Sequence, residues 1–374
     1  MPDGGSPDGT VGFVAKRIVQ KTTTLGQILD DRDNSFNAVR LMAAGAVFIS
    51  HTFLILPIGS HNEPLDGSAY NLGQIAVNVF FFLSGMMLSR SFALKPHLTS
   101  FVAARMLRIF PALIACALLT AFVIGPLNTT LDLDEYFRDP ATIFYPLKVV
   151  FQFSKVPLPG VFTTGMEPGI NIPLWTVKYE LFAYCTFLLI PICGLFGSRA
   201  FANLATVVLG GLLIVSEGSD SFDASFVGSL VRFGFCFTLG MQAFLHRDMI
   251  RPSWPLAVVL VAASFVVGAL PFGQLASAVA FAYLAVTIGA TRLPVVTPIT
   301  NRVDVSYGLY LYAFPIQQAT IAKYGTTPML AVYTTILAAL AAVTLATLSW
   351  FWIEKPALSL KKPIARHYPP LAAE

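Results

Sequence analysis

Charge is what this sequence has least of. Asp, Glu, Lys and Arg together make up 12% of its 374 residues, about half the share of an ordinary soluble domain. A surface that faces water on all sides needs roughly 25–35%, so a soluble globular enzyme is excluded. Disorder is excluded too: the set AVILMFWYC reaches 55% and the mean hydropathy is +0.69, whereas disordered chains are poor in apolar residues. Cysteine is scarce. Cys116, Cys185, Cys193 and Cys236 all fall in apolar stretches with no CxxC pair, so they read as small core hydrophobes, and neither a disulfide framework nor a metal centre is expected. There is no GxxxxGK[ST], no GxSxG and no HExxH, which removes the P-loop, the nucleophile elbow and the zincin helix. The net charge is only +4, and the basic residues form no aromatic-interleaved groove, so no nucleic-acid partner is expected.

Long apolar runs fill the space that charge leaves. A spanning helix takes roughly 20 mostly apolar residues. Ten segments qualify: 36–57, 73–92, 107–125, 173–193, 201–216, 226–245, 254–270, 274–291, 304–323 and 329–353. Stretches such as Leu256–Leu270 are apolar all round, which excludes the alternation of a membrane β-barrel. The fold class is therefore an all-α integral membrane protein of about ten transmembrane helices. With an odd number of spans missed, the basic residues would scatter over both sides. With ten, only Arg138, Lys148, Lys155 and Lys323 of the 24 fall outside, and Lys178 and Arg232 fall within spans, leaving 18 inside. By the positive-inside rule both termini are expected in the cytoplasm. The chain divides into a cytoplasmic arm (1–35) with a short amphipathic helix near Val11–Leu29, a transmembrane domain (36–356) with one long outer loop (126–172), and a cytoplasmic tail (357–374). The arm lacks the apolar core of a signal peptide. Long loops are often lids or binding loops; a passive connection is the other reading.

Ionisable groups inside a bilayer are costly and usually functional. Within the spans these are His51, Lys178, Glu180 and Arg232. His51 follows Arg40 by eleven residues, about 20° past three full turns and roughly 16 Å along the axis, so the two share one helix face. Glu180 and Lys178 are two apart and point to nearly opposite faces. Glu180 and Arg232 have similar depths, which permits an ion pair. Arg105 and Arg108 are three apart on one face at the basic end of the third span, either as topology and headgroup contacts or as an anion site.

Six stretches in order resemble the membrane-bound acyltransferase family 3: Arg40-x10-His51, Asn78–Gly85 (NVFFFLSG), Arg105–Pro111 (RMLRIFP), Pro173–Glu180 (PLWTVKYE), Asp304–Tyr312 (DVSYGLYLY) and Ile353–Pro356 (IEKP). The resemblance implies a multi-pass protein of the bacterial inner membrane. Its members move an acyl group, usually acetyl from cytoplasmic acetyl-CoA, onto extracytoplasmic glycans such as exopolysaccharide and lipopolysaccharide or onto lipid-linked sugars, with no permanently bound cofactor. It implies His51 as general base and Arg40, Arg105 and Arg108 as the donor's phosphate ligands. Glu180 would orient the acceptor or the imidazole. Asn78, Ser84, Tyr307 and Tyr310 would line the tunnel, and Trp175 would stack on a sugar or anchor at the interface. Two departures stand out: a single acid, Glu180, where members often carry two, and Ala313 where many carry a histidine. From the residues alone a secondary transporter is the alternative, since mid-membrane polar groups also mark transport sites. Nothing in the sequence sets the oligomeric state.

Overall fold

A backbone in hydrocarbon has no water to bond, so each apolar segment must pair its own N–H and C=O groups, which a helix does internally. The computed structural model describes residues 23–56, 63–66, 68–153, 156–163, 169–217, 225–325 and 327–361. Every one of the ten apolar segments is helical in it. Among the described residues the one extended pairing is an isolated bridge between Thr129 and Val161. Of the amphipathic arm only α1 (Leu25–Asp30) is seen; the rest of Val11–Leu29, and the tail from 362 on, lie outside the described residues.

Among the described residues seven helices are long and apolar enough to cross a membrane: α2 (Phe36–Ile55), α3 (Leu72–Leu94), α4 (Leu98–Asn128), α9 (Arg199–Ser216), α10 (Phe226–Leu245), α12 (Gly273–Ala290) and the stretch Leu330–Ser359. The three other segments fall short for physical reasons. α8 (Val177–Ile192) has 16 residues because its first turn is a 3₁₀ segment, Ile172–Thr176, started by Pro173. α11 (Trp254–Val266) has 13 and stops before Pro271. α14 (Ser306–Tyr324) has 19, but it turns Tyr307, Tyr312, Gln317 and Gln318 into the protein interior, which lowers its hydropathy. Long helices that carry their polar groups inward need not look apolar in sequence.

α3 runs through the middle of the bundle against α2, α10 and α12. Asn71 starts it with a capping box to Gln74. Its contact with α10 is a close backbone approach. A Cβ on Gly85 would collide with the Phe237 carbonyl, and one on Gly240 with the Phe82 carbonyl; small residues serve this purpose in membrane bundles. The periphery is apolar and open, as at Val207 on α9 and Val258 and Val259 on α11, which is where lipid belongs.

The segment 126–172 is more ordered than a loop. It folds into α5 (Leu133–Arg138), α6 (Pro140–Ile143) and α7 (Tyr145–Gln152), with α7 packed on α4. Tyr136 and Tyr145 are buried beneath it, and the Tyr136 hydroxyl donates to the Ala121 carbonyl at 2.7 Å. Its aromatics thus build a cap on α4. Residues 154–155 and 164–168, including Lys155 and Glu167, lie outside the described set. The last spanning helix, α15 (Pro328–Ser349), passes through a π-helical turn at Trp350–Glu354 into α16 (Lys355–Ser359). Such turns re-aim side chains, and this one brings Glu354 inside, at 1% exposure.

Candidate functional site

Charges drawn from four distant stretches meet at the basic end of the bundle. Arg108 on α4 donates to Asp304 Oδ2 at 2.7 Å, and Arg40 on α2 approaches the same oxygen at 3.2 Å. Arg108 also lies 3.5 Å from Glu354 Oε2. The Ser306 hydroxyl holds the other Asp304 oxygen at 2.6 Å. Ser349 donates to Glu354 at 3.3 Å, and Tyr312 in turn donates to Ser349 at 3.3 Å. Two guanidiniums thus face two carboxylates. Burying such charges is tolerable only with this degree of pairing.

Arg105 differs. Among the described residues it has no ion pair; it sits over the rings of Phe101 and Tyr184 at 5.8 and 5.9 Å, with its Nε buried and unpartnered. The three arginines form the shared wall of two spaces. On one side is a vestibule of about 290 Å³ bounded by Asn37, Asn301, Asp304, Trp350, Leu358 and Lys361. On the other is a cavity of about 110 Å³ that reaches between the helices. Its polar wall is Ser84, Thr176, Glu180, Tyr184, Ser306, Tyr307 and Tyr310, and its apolar wall includes Val77, Phe80, Phe81, Leu83, Met87 and Ile109.

Glu180 is on that wall, where the Tyr184 hydroxyl donates to it. The Glu180–Arg232 ion pair that the sequence permits does not form: Arg232 lies over the rings of Phe233 at 4.5 Å and Tyr70 at 5.6 Å. Lys178 leans the other way, over Tyr179 and Phe226. Tyr310 is on the same cavity wall. Its hydroxyl donates to the Pro173 carbonyl at 2.8 Å and meets the Thr176 hydroxyl at 2.6 Å, so the 3₁₀ segment before α8 and the middle of α14 are tied together.

Of the residues singled out in the sequence, Arg40, Ser84, Arg105, Arg108, Glu180, Tyr307 and Tyr310 converge on the cavity. Three do not. His51 packs edge-on against Phe314, with ring centroids 5.2 Å apart, and Phe314 lies one turn beyond Tyr310 on α14, roughly 6 Å along its axis. His51 is therefore behind the Tyr310 end of the cavity, and the shared face with Arg40 does not put both on one open wall. Its Nδ1 is buried with no partner. Asn78 is 4% exposed with both amide atoms unpartnered, while its neighbour Val77 takes the wall position. Trp175 packs on Tyr179 and Phe233, away from both spaces. A buried amide or imidazole with nothing to bond costs on the order of 1–3 kcal/mol, a cost that functional sites often carry.

Sequence reading missed Asp304, Glu354 and Lys361. The first two stood in plain view as acids in the DVSYGLYLY and IEKP stretches. They lie 264 and 246 positions from their respective partners Arg40 and Arg108, and no local pattern connects them. Among the described residues no group of three His, Cys, Asp or Glu side chains could hold a metal ion.

A family described as an acyltransferase domain, acyltransferase family 3, matches residues 33–355. The chain is 27% identical over 341 residues to an O-acetyl transferase of Shigella phage Sf6, covering 89% of this chain and 98% of the phage protein. It is 29% identical over 353 residues to nodulation protein 10 of Rhizobium leguminosarum bv. viciae, covering 88% of this chain and 94% of that protein. No solved structure matches. With an all-helical bundle of membrane-spanning length and a family match across nearly the whole chain, the protein belongs to acyltransferase family 3 and is a multi-pass membrane acyltransferase.

Proposed function

We propose that the protein transfers an acetyl group from cytoplasmic acetyl-CoA to a hydroxyl of an extracytoplasmic or lipid-linked glycan, in the bacterial inner membrane. The observation that carries this reading is the cavity that shares its arginine wall with the vestibule and is also walled by Glu180: cations on that wall suit phosphates, and the slender pantetheine arm suits the space between the helices. The phage relative's name, O-acetyl transferase, supports acetyl as the group and oxygen as its destination. Membership of an acyltransferase family decides against the transporter alternative.

In this reading His51 takes the proton of the acceptor hydroxyl as that oxygen attacks the thioester carbonyl. The C–S bond breaks, and the imidazolium returns the proton to the leaving thiolate. A second reading makes Glu180 the base, favoured by its place on the cavity wall where His51 is absent. Purified protein in nanodiscs, given radiolabelled acetyl-CoA and the host's membrane glycan, is expected to move label to the glycan. Label that stays entirely on CoA would sink the proposal.

Arg105 is the donor contact most exposed to test, since Arg40 and Arg108 already face carboxylates. Arg105→Ala is expected to weaken acetyl-CoA binding about tenfold or more, the worth of one charge-assisted hydrogen bond, with the melting temperature kept. Unchanged affinity would make Arg105 a topology signal only.

The same reading sets ten crossings, with α8, α11 and α14 added to the seven long helices and both ends in the cytoplasm. A cysteine at Asp134, on a background without Cys185 and Cys193, is expected to react with an impermeant thiol reagent added to spheroplasts. One at Arg302 is expected to stay unreactive until the membrane is opened. The reverse pattern would invert the topology.

A further inference from the structure

Two of the cations on the vestibule wall, Arg40 and Arg108, already face carboxylates, Asp304 and Glu354. Two cations on its wall are left over. Arg105 has no carboxylate partner among the described residues, and neither does Lys361, which follows α16 and faces the vestibule with Leu358. α16 packs against α4, the helix that carries Arg105. Burial, then Arg105 and Lys95, pull the Lys361 ammonium below the ordinary lysine value. Like charges are therefore gathered in a half-buried recess with no carboxylate paired to either among the described residues, an arrangement that an anion relieves.

We infer that Lys361, at the end of the segment after the last spanning helix, is a further phosphate ligand that completes in the vestibule the donor contact assigned above to Arg105. This rests on the acyl-CoA reading. Arg40, Asp304 and Arg108 border the same vestibule, and the two guanidiniums there already face carboxylates. A lipid headgroup offers the same phosphate chemistry, and the test separates the two.

Binding is measured in a phosphate-free maltoside detergent with acetyl-CoA and with S-acetyl-pantetheine, which keeps the thioester arm and lacks the phosphates. The wild-type protein is expected to prefer acetyl-CoA. Lys361→Gln is expected to lose about tenfold in acetyl-CoA affinity with acetyl-pantetheine unaffected, and Lys361→Arg to retain the wild-type preference. An unchanged acetyl-CoA affinity in Lys361→Gln overturns the inference, including the case in which only phosphatidylglycerol binding falls, which assigns Lys361 to lipid. A wild-type protein that binds both ligands equally also overturns it while the acyl-CoA reading stands. Failure to bind either one removes that reading itself.

Discussion

His51→Gln is expected to abolish transfer, with a fall of about 10²–10⁴ in rate, the usual worth of a general base, and to leave acetyl-CoA affinity close to wild type. Glutamine keeps a polar side chain of similar reach but cannot accept a proton at neutral pH. The affinity is spared because Arg105 and the vestibule lie at the Arg40 end of α2, and Arg40 is roughly 16 Å from His51 along the helix. The measurement is single-turnover acetylation of the native glycan beside equilibrium binding of acetyl-CoA. His51 is in the interior, with Nδ1 unpartnered and its ring edge-on to Phe314, so a packing role is the competing explanation. A packing histidine predicts that Gln is tolerated far better than Ala. Near-normal turnover in the Gln variant would remove His51 from the chemistry. Glu180→Gln is the companion variant: if it alone abolishes transfer, the carboxylate on the cavity wall is the base.

Asp304→Ala is expected to cost about 3–5 kcal/mol of stability, the typical result of removing one member of a buried ion pair. Its carboxylate is the common partner of Arg40 and Arg108, whose side chains are 30% and 11% exposed against 13% for Asp304 itself. Without it Arg40 has no carboxylate among the described residues, and Arg108 keeps only the longer contact to Glu354. Thermal unfolding in detergent reads the loss. The double variant Asp304→Ala with Arg108→Ala is expected to lose clearly less than the sum of the two single variants, because both act on one network. Strict additivity would mean that the ion pair contributes nothing specific. This also separates Arg108 from Arg105: loss of Arg108 lowers stability, whereas loss of Arg105 lowers donor affinity.

Several elements were legible because their cause is local. Asn71 and Gln74 announce the start of α3 as a capping box, and the apolar runs of α2, α10 and α12 have the length a bilayer requires. α14 was legible as a helix, and the resemblance already gave Tyr307 and Tyr310 to the tunnel; that Tyr312, Gln317 and Gln318 are buried as well follows only from α2, α4 and α15 packing around it. The cap over α4 was not legible: six prolines and scattered aromatics read as a loop, and only the burial of Tyr136 and Tyr145 against α4 and its neighbours makes it a folded element. The resemblance gave Arg40 and Arg108 as phosphate ligands from local motifs, whereas their carboxylate partners Asp304 and Glu354 are remote in the chain and were not read with them.

Composition and the lengths of the apolar runs alone determined that this is a helical membrane protein, because hydrocarbon admits only backbones that satisfy themselves and penalises every unpaired charge. The ordered stretches from Arg40 to Pro356 identified the family, and the match over residues 33–355 agrees. Which charges remain available was decided only by tertiary structure. Pairing depends on distances between helices that are hundreds of residues apart in sequence, and the energy of a charge depends on what stands within a few ångströms of it. The bundle put Asp304 between Arg40 and Arg108, the π-helical turn swung Glu354 inward, and Arg105 and Lys361 were left facing an open vestibule.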